Sequence, residues 1–146
     1  MCYREGESDP LPAVFSARLA IKPEHLAAYL TAVGGGHPVH TSLDIARAAG
    51  FKGIPLPGVQ LAGAALAACT RQLGACPVQL LQVESSFRRP VYVGDEIELR
   101  ARVVTRRVNA EGTHVGVMYE GEGCLPGGKP AFSIRFHIRA PRGWAG

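Results

Sequence analysis

The sequence lacks any apolar run of the roughly 20 residues that a membrane-spanning helix requires. Its start, MCYREGESDP, also lacks the apolar stretch of a secretory signal. We therefore expect neither a membrane protein nor a secreted one, and predict a cytoplasmic location.

Cysteine is scarce, and its spacing carries no motif. The four cysteines form no CxxC pair, so neither a zinc site nor a redox pair is indicated. A disulfide framework is not expected in the cytoplasm. Cys69 lies in an apolar helical run, which predicts a small core residue.

Clustered positive charge is also lacking. The net charge is +4, but the basic residues are scattered apart from Arg88-Arg89 and Arg106-Arg107. Nucleic-acid-binding proteins usually gather basic and aromatic residues on one face, so we expect no nucleic-acid partner. A mild positive charge suits a phosphate-bearing ligand such as coenzyme A, or an acidic carrier protein. An ordinary solvated surface is the alternative explanation for any single arginine.

What is present is an apolar, globular composition. Of the 146 residues, 47% are hydrophobic and 19% are charged, which suits one domain with a single core. Residues 1–12 are polar and contain proline, and we expect them to form a loose N-terminal arm. Residues 13–146 are expected to form the domain.

Hydrophobic periodicity predicts a strand, three helices and then four further strands. The predicted helices cover 23–33, 42–50 and 58–73, and the predicted strands cover 13–21, 78–87, 96–104, 114–123 and 131–138. Ser42 is the expected N-cap of the second helix, and Gly50 its end.

The third predicted helix, GVQLAGAALAACTRQL at 58–73, is apolar nearly all round over its first turns. Such a helix is expected to be buried on most sides. The later strands are sequential and joined by short turns, which favours antiparallel pairing in one sheet. One sheet can bury this helix only by curling around it. The pattern therefore predicts an α+β protein with a hot-dog arrangement.

Two blocks of sequence resemble the MaoC-like hot-dog proteins, which include (R)-specific enoyl-CoA hydratases and 3-hydroxyacyl-thioester dehydratases. The first block, GGHPVH…A…GF…PG, is similar to the family's D-x-N-P-x-H…A…G-F…I-x-H-G. The second, FRRPVYVGDEIELRARVV at 87–104, is similar to its F-x-x-P-V-x-x-G-D-x-[IL]. The resemblance implies a hot-dog fold, an acyl-thioester substrate, no cofactor, and a dimer with active sites at its interface.

The first block departs from the family pattern. The family's aspartate falls on Gly35, its asparagine on His37 and its second histidine on Pro57. The pattern of the related bacterial fatty-acid dehydratases fails as well, because its histidine and glutamate would fall near Ala49 and Gly63.

The retained histidine, His40, is the candidate acid/base, because histidine titrates near neutrality. The resemblance implies that a His–Asp pair removes a proton from water and delivers one to the α carbon. His37 could replace the orienting asparagine or act as the acid itself. The backbone N–H groups of Gly58 and Val59 are the candidate site for the thioester oxygen. For Gly58, a helix start packed close to a strand is the alternative.

The missing carboxylate has no evident substitute. Asp44, Glu24 and Asp95 are expected at helix starts or a turn, where carboxylates are commonplace. An aspartate introduced at Gly35 would restore the pair cheaply only if φ there is negative. The spacing of His37 and His40 also permits a metal, but no third ligand is evident, so no metal is predicted.

Three functions remain open. We favour a hydratase- or dehydratase-type enzyme that acts on an acyl-CoA or an acyl-carrier-protein thioester, with altered acid/base machinery centred on His40. The alternatives are a non-catalytic subunit paired with a complete dehydratase, and a module that binds an acyl thioester without chemistry. We expect a homodimer, or a heterodimer with another hot-dog subunit.

Overall fold

The computed structural model describes residues 10–144, which hold one five-stranded sheet and three α-helices. In chain order these are β1 (Val14–Leu19), α1 (Pro23–Ala32), α2 (Leu43–Ala48), α3 (Gly58–Thr70), β2 (Gln79–Phe87), β3 (Ile97–Val108), β4 (His114–Leu125) and β5 (Lys129–Pro141). Short 3₁₀ turns cover Pro38–His40 and Arg71–Leu73. All the predicted elements are present, with ends shifted by a few residues.

The sheet is antiparallel, with strand order β1-β3-β4-β5-β2. The predicted hairpins join β3 to β4 and β4 to β5; the second turns through Gly127 and Gly128, which both have positive φ. The edge strands β1 and β2 are far apart in the sheet, although they come first and second in the chain. The long connection between them carries all three helices.

The core lies between α3 and the concave face of the curled sheet. Phe15, Tyr119 and Phe136 are fully buried, and their ring centroids lie 4.8 Å (Phe15–Tyr119) and 5.1 Å (Tyr119–Phe136) apart. From α3, Leu61 and Cys69 are buried in the same cluster. Burial raises the pKa of the Cys69 thiol to about 11, so it is protonated at neutral pH and serves as a core residue, as predicted.

One face of α3 is open, so the prediction that this helix is buried on most sides is only partly right. Val59 is 74% exposed, and Gly63 on the next turn is exposed too. The neighbouring β2 is exposed along nearly its whole length. The sheet of one chain therefore covers only part of its apolar helix.

The predicted N-terminal arm lies mostly outside the described residues, which include only its last part, 10–12. There Leu11 is buried, and the carbonyl of Pro12 accepts a hydrogen bond of 2.6 Å from the Tyr119 hydroxyl. These last residues of the arm are packed against the core rather than loose.

Within residues 10–144, the helices are too short or too polar to span a membrane.

Close approach between β3 and β4 requires glycine at position 121. A Cβ built on Gly121 would lie 2.7 Å from the Cα of Ala101, so the backbone itself would have to move. We expect Gly121→Ala to lower the free energy of unfolding by about 1–3 kcal/mol. Gly63→Ala is the control, because a Cβ there has open space in α3 and alanine favours a helix by about 0.5–1 kcal/mol. Urea unfolding measures both, and equal stability of the two variants would contradict the packing argument.

Candidate active site

The retained histidine is anchored by one ring nitrogen. His40 is half-buried at the end of the 3₁₀ turn, and its Nδ1 lies 2.7 Å from the carbonyl oxygen of Pro55. A carbonyl can only accept, so Nδ1 carries the proton and donates it. In the neutral ring, Nε2 then holds the free lone pair that a general base needs.

The turn that carries His40 is capped by His37. Its Nδ1 accepts a hydrogen bond of 3.1 Å from the backbone N–H of Val39, and Pro38 occupies the first position of the turn. Asparagine, which the family pattern has here, caps helices in the same way. The contact therefore favours the orienting role for His37, whose ring is exposed.

His40 lines a groove of about 830 Å³ between α1 and the residues around Gly53 and Tyr92. Most of the lining is apolar, including Leu26 and Leu30 of α1. Such a groove can hold an apolar chain beside the His40 ring, and Lys52 adds an amine to its lining.

Tyr92 lines the same groove, and sequence reasoning missed it. Its backbone pairs with Pro55, the residue that anchors His40, and its hydroxyl oxygen accepts a hydrogen bond of 3.1 Å from the N–H of Lys52. Among residues 10–144 the hydroxyl hydrogen has no acceptor, so it is available to a ligand. The only sequence signal was its place inside the second motif block, between Val91 and Val93.

Gly35 closes α1 rather than facing the groove. The N–H groups of Gly34 and Gly35 bond to the carbonyls of Thr31 (3.2 Å) and Leu30 (2.7 Å), the pattern of a Schellman cap. The φ of Gly35 is +96°, so the condition for a cheap aspartate there is not met. An L-residue at this position is strained, and the simple restoration of a His–Asp pair is not supported.

The start of α3 follows shortly after the residue that anchors His40. Gly58 comes three residues after Pro55, so their Cα atoms are at most about 11 Å apart. Pro57 is the buried N-cap of α3, and its carbonyl accepts from the N–H of Leu61 at 3.1 Å. The first N–H groups of the helix, at Gly58 and Val59, have no partner within the helix.

Gly58 is also packed against a strand. A Cβ there would lie 2.7 Å from the ring of Phe87, so a larger residue would have to push this ring aside. The two interpretations of Gly58 are compatible, since one concerns the space for a Cβ beside Phe87 and the other concerns the backbone N–H.

The other carboxylates are structural or exposed. Asp95 Oδ2 accepts from the backbone N–H of Tyr92 at 2.8 Å and so holds the turn beside the groove. Asp44 is exposed in the first turn of α2, where Ser42 is the N-cap, as predicted. In the described part of the chain, no three histidine, cysteine or acidic side chains are grouped to hold a metal.

Comparison with known proteins supports the fold. The chain matches the family model of the MaoC-like domain over residues 11–122. Among curated proteins, none matches it.

Solved structures similar to this chain include the (R)-hydratase of A. caviae involved in PHA biosynthesis (21% identity, TM-score 0.71, 90% of this chain and 98% of that one). A MaoC-like dehydratase from Rhodospirillum rubrum is similar as well, with 16% identity and a TM-score of 0.75, covering 90% of this chain and 92% of that one. A third similar structure is the C-terminally truncated HadBC (3R-hydroxyacyl-ACP dehydratase) complex of Mycobacterium tuberculosis. It has 13% identity and a TM-score of 0.75, covering 90% of this chain and 98% of that one. At these identities the likeness concerns the fold alone.

The family model spans most of the chain, including the turn of His40, the start of α3 and the block that contains Tyr92. The chain therefore belongs to the MaoC-like dehydratase family and has its hot-dog fold.

Proposed function

We propose that the protein hydrates enoyl thioesters, or dehydrates 3-hydroxyacyl thioesters, with His40 as the acid/base. The observation that carries the proposal is the bond from His40 Nδ1 to Pro55, which leaves Nε2 as the base beside an apolar groove. The substrate is an acyl group on coenzyme A or on an acyl-carrier protein. Family membership supports the reaction class.

In the hydration direction, Nε2 of His40 removes a proton from water, and the water oxygen attacks the β carbon of the double bond. Negative charge then gathers on the thioester oxygen. The N–H groups of Gly58 and Val59 stabilise it there, at the positive end of the α3 dipole. A proton delivered to the α carbon completes the addition of one water.

Tyr92 is the proposed donor of that second proton in place of the family's aspartate. It shares the groove with His40, both are held on Pro55, and its O–H hydrogen has no acceptor among the described residues. The proton that His40 has taken from water can return to Tyr92 through solvent, so the cycle balances.

The dimer expected from the family is supported by the uncovered apolar surface. Val59 of α3 and three residues of the edge strand β2 (Leu80, Val83, Phe87) are exposed on one chain. Pairing β2 with the same strand of a second hot-dog chain would cover this surface. The chain would then form a homodimer, or a heterodimer such as the HadBC complex is by its name. A non-catalytic subunit is the second candidate function, favoured by glycine at position 35.

His40→Ala should lower the rate of crotonyl-CoA hydration by about 10²- to 10⁴-fold, because the general base is lost. His37→Asn is the control, since asparagine can cap the same turn and should leave most of the rate. Hydration is followed by loss of the enoyl absorbance, with circular dichroism to verify folding. An unchanged rate in His40→Ala would remove this histidine from the mechanism, and an inactive wild type would favour the subunit function.

Tyr92→Phe should lower kcat by about 10²-fold with little change in KM, because only the proton donor is removed from the groove. Tyr29→Phe, on α1 and outside the residues that line the groove, should have the wild-type rate. If Tyr92→Phe keeps the wild-type kcat, the second proton comes from another group.

Val83→Glu should convert the dimer to a monomer, because it places a charge in the edge strand that the second chain must cover. Val14→Glu is the matched control on the opposite edge strand, β1, and should remain dimeric. Sedimentation at micromolar concentration measures both. A wild type that is monomeric under these conditions would contradict the assembly, without bearing on His40.

A further inference from the structure

The outer face of the sheet carries a hollow of about 400 Å³ at the end where β3 finishes and β4 begins. Its wall contains Arg107 of β3, His114 of β4, and His137 and Arg139 of β5. It shares no residue with the groove of His40. We infer that this hollow binds a phosphate group.

A glycine makes the hollow. Gly116 of β4 stands between Arg107 and Arg139 in the sheet, each of which is its direct neighbour on the adjoining strand. Because position 116 has no side chain, no Cβ stands between the two arginines, and a neighbouring ring can reach the floor between them. The His137 ring leans into that space, with Nε2 2.9 Å from the point that a Cβ of Gly116 would occupy.

The charge of the hollow is uncompensated. No acidic residue belongs to its lining. Elsewhere on this face the arginines lie near carboxylates. Arg18 pairs with Glu98, Arg88 with Glu122 and Arg135 with Glu120. Arg100 and Arg102 line a separate hollow that also contains Glu84, Glu120 and Glu122.

The arginines of the hollow lack such partners. Arg139 donates to the amide oxygen of Gln79 at 2.6 Å, which leaves its charge intact. Within residues 10–144, the side chain of Arg107 has neither a hydrogen bond nor an ion pair, although its backbone belongs to the β3–β4 ladder. Both guanidinium groups are exposed and available to an anion.

Phosphate suits this arrangement better than a carboxylate does. A phosphate offers three or four oxygens and up to two negative charges. A guanidinium presents two parallel N–H donors, which fit two of those oxygens. Two arginines on opposite sides of a glycine floor can each hold one edge of the phosphate. The flanking histidine rings add further N–H donors. The ligand can be free phosphate or the phosphate of a larger molecule, coenzyme A included.

The inference does not depend on the proposed activity, and equilibrium binding tests it. Inorganic phosphate, coenzyme A and dephospho-coenzyme A are each titrated into the full-length protein by calorimetry at low ionic strength. Arg107→Gln and Arg139→Gln should each weaken phosphate binding at least about tenfold, because each removes a charged pair of donors. Gly116→Val should weaken it as well, by filling the floor. Arg18→Gln removes the same charge elsewhere on this face and should have no effect.

The results separate the possible sources of the phosphate. Stronger binding of coenzyme A than of its dephospho form, lost in Arg107→Gln, assigns the hollow to the coenzyme's 3′-phosphate. Equal binding of the two, with inorganic phosphate still sensitive to Arg107→Gln, assigns it to free phosphate. The inference is overturned if the wild type does not bind phosphate at millimolar concentrations. It is also overturned if Arg18→Gln weakens binding as much as Arg107→Gln, since the general positive field would then be responsible.

Discussion

The structure depends on the need to bury α3 with a single sheet. The helix is apolar on most of its surface, so the five strands must curl around it, and the curl requires close contacts along β4. Glycine permits those contacts: a side chain at Gly121 would meet the backbone of β3, and one at Gly123 would meet the ring of Phe132. A third glycine of the same strand, Gly116, opens the basic hollow on the outer face.

The candidate site depends on the same helix. The chain enters α3 through the segment at Pro55, which binds His40 by its carbonyl and pairs with Tyr92 by its backbone. The proposed base, the proposed proton donor and the helix N–H groups are thus tied to one short segment. The role proposed for Tyr92 would account for glycine at position 35 in a member of this family.

The incomplete burial of α3 and β2 relates the fold of one chain to the proposed dimer. One sheet leaves Val59 and the apolar side chains of β2 exposed among the described residues, and in the proposed dimer a second chain covers them. The sequence pattern of α3 predicted more burial than the single chain provides. The proposed dimer would account for this difference, because the apolar pattern of a helix reflects every surface that it contacts, including that of a partner chain.

Local sequence patterns determined most of the secondary structure of this protein and indicated its family. Periods of two and 3.6 residues specified the strands and helices, capping residues such as Ser42 set their ends, and the two motif blocks indicated the family and His40. Only the tertiary structure decided the strand order, which puts β2 beside β5. The connection from β1 to β2 is long and carries the helices, so the sequence does not specify which strand β2 pairs with. The tertiary structure also decided the positive φ of Gly35, the position of Tyr92 in the groove of His40 and the grouping of Arg107 with Arg139. These features arise where distant segments meet, and the spacing of residues along the chain does not encode such meetings.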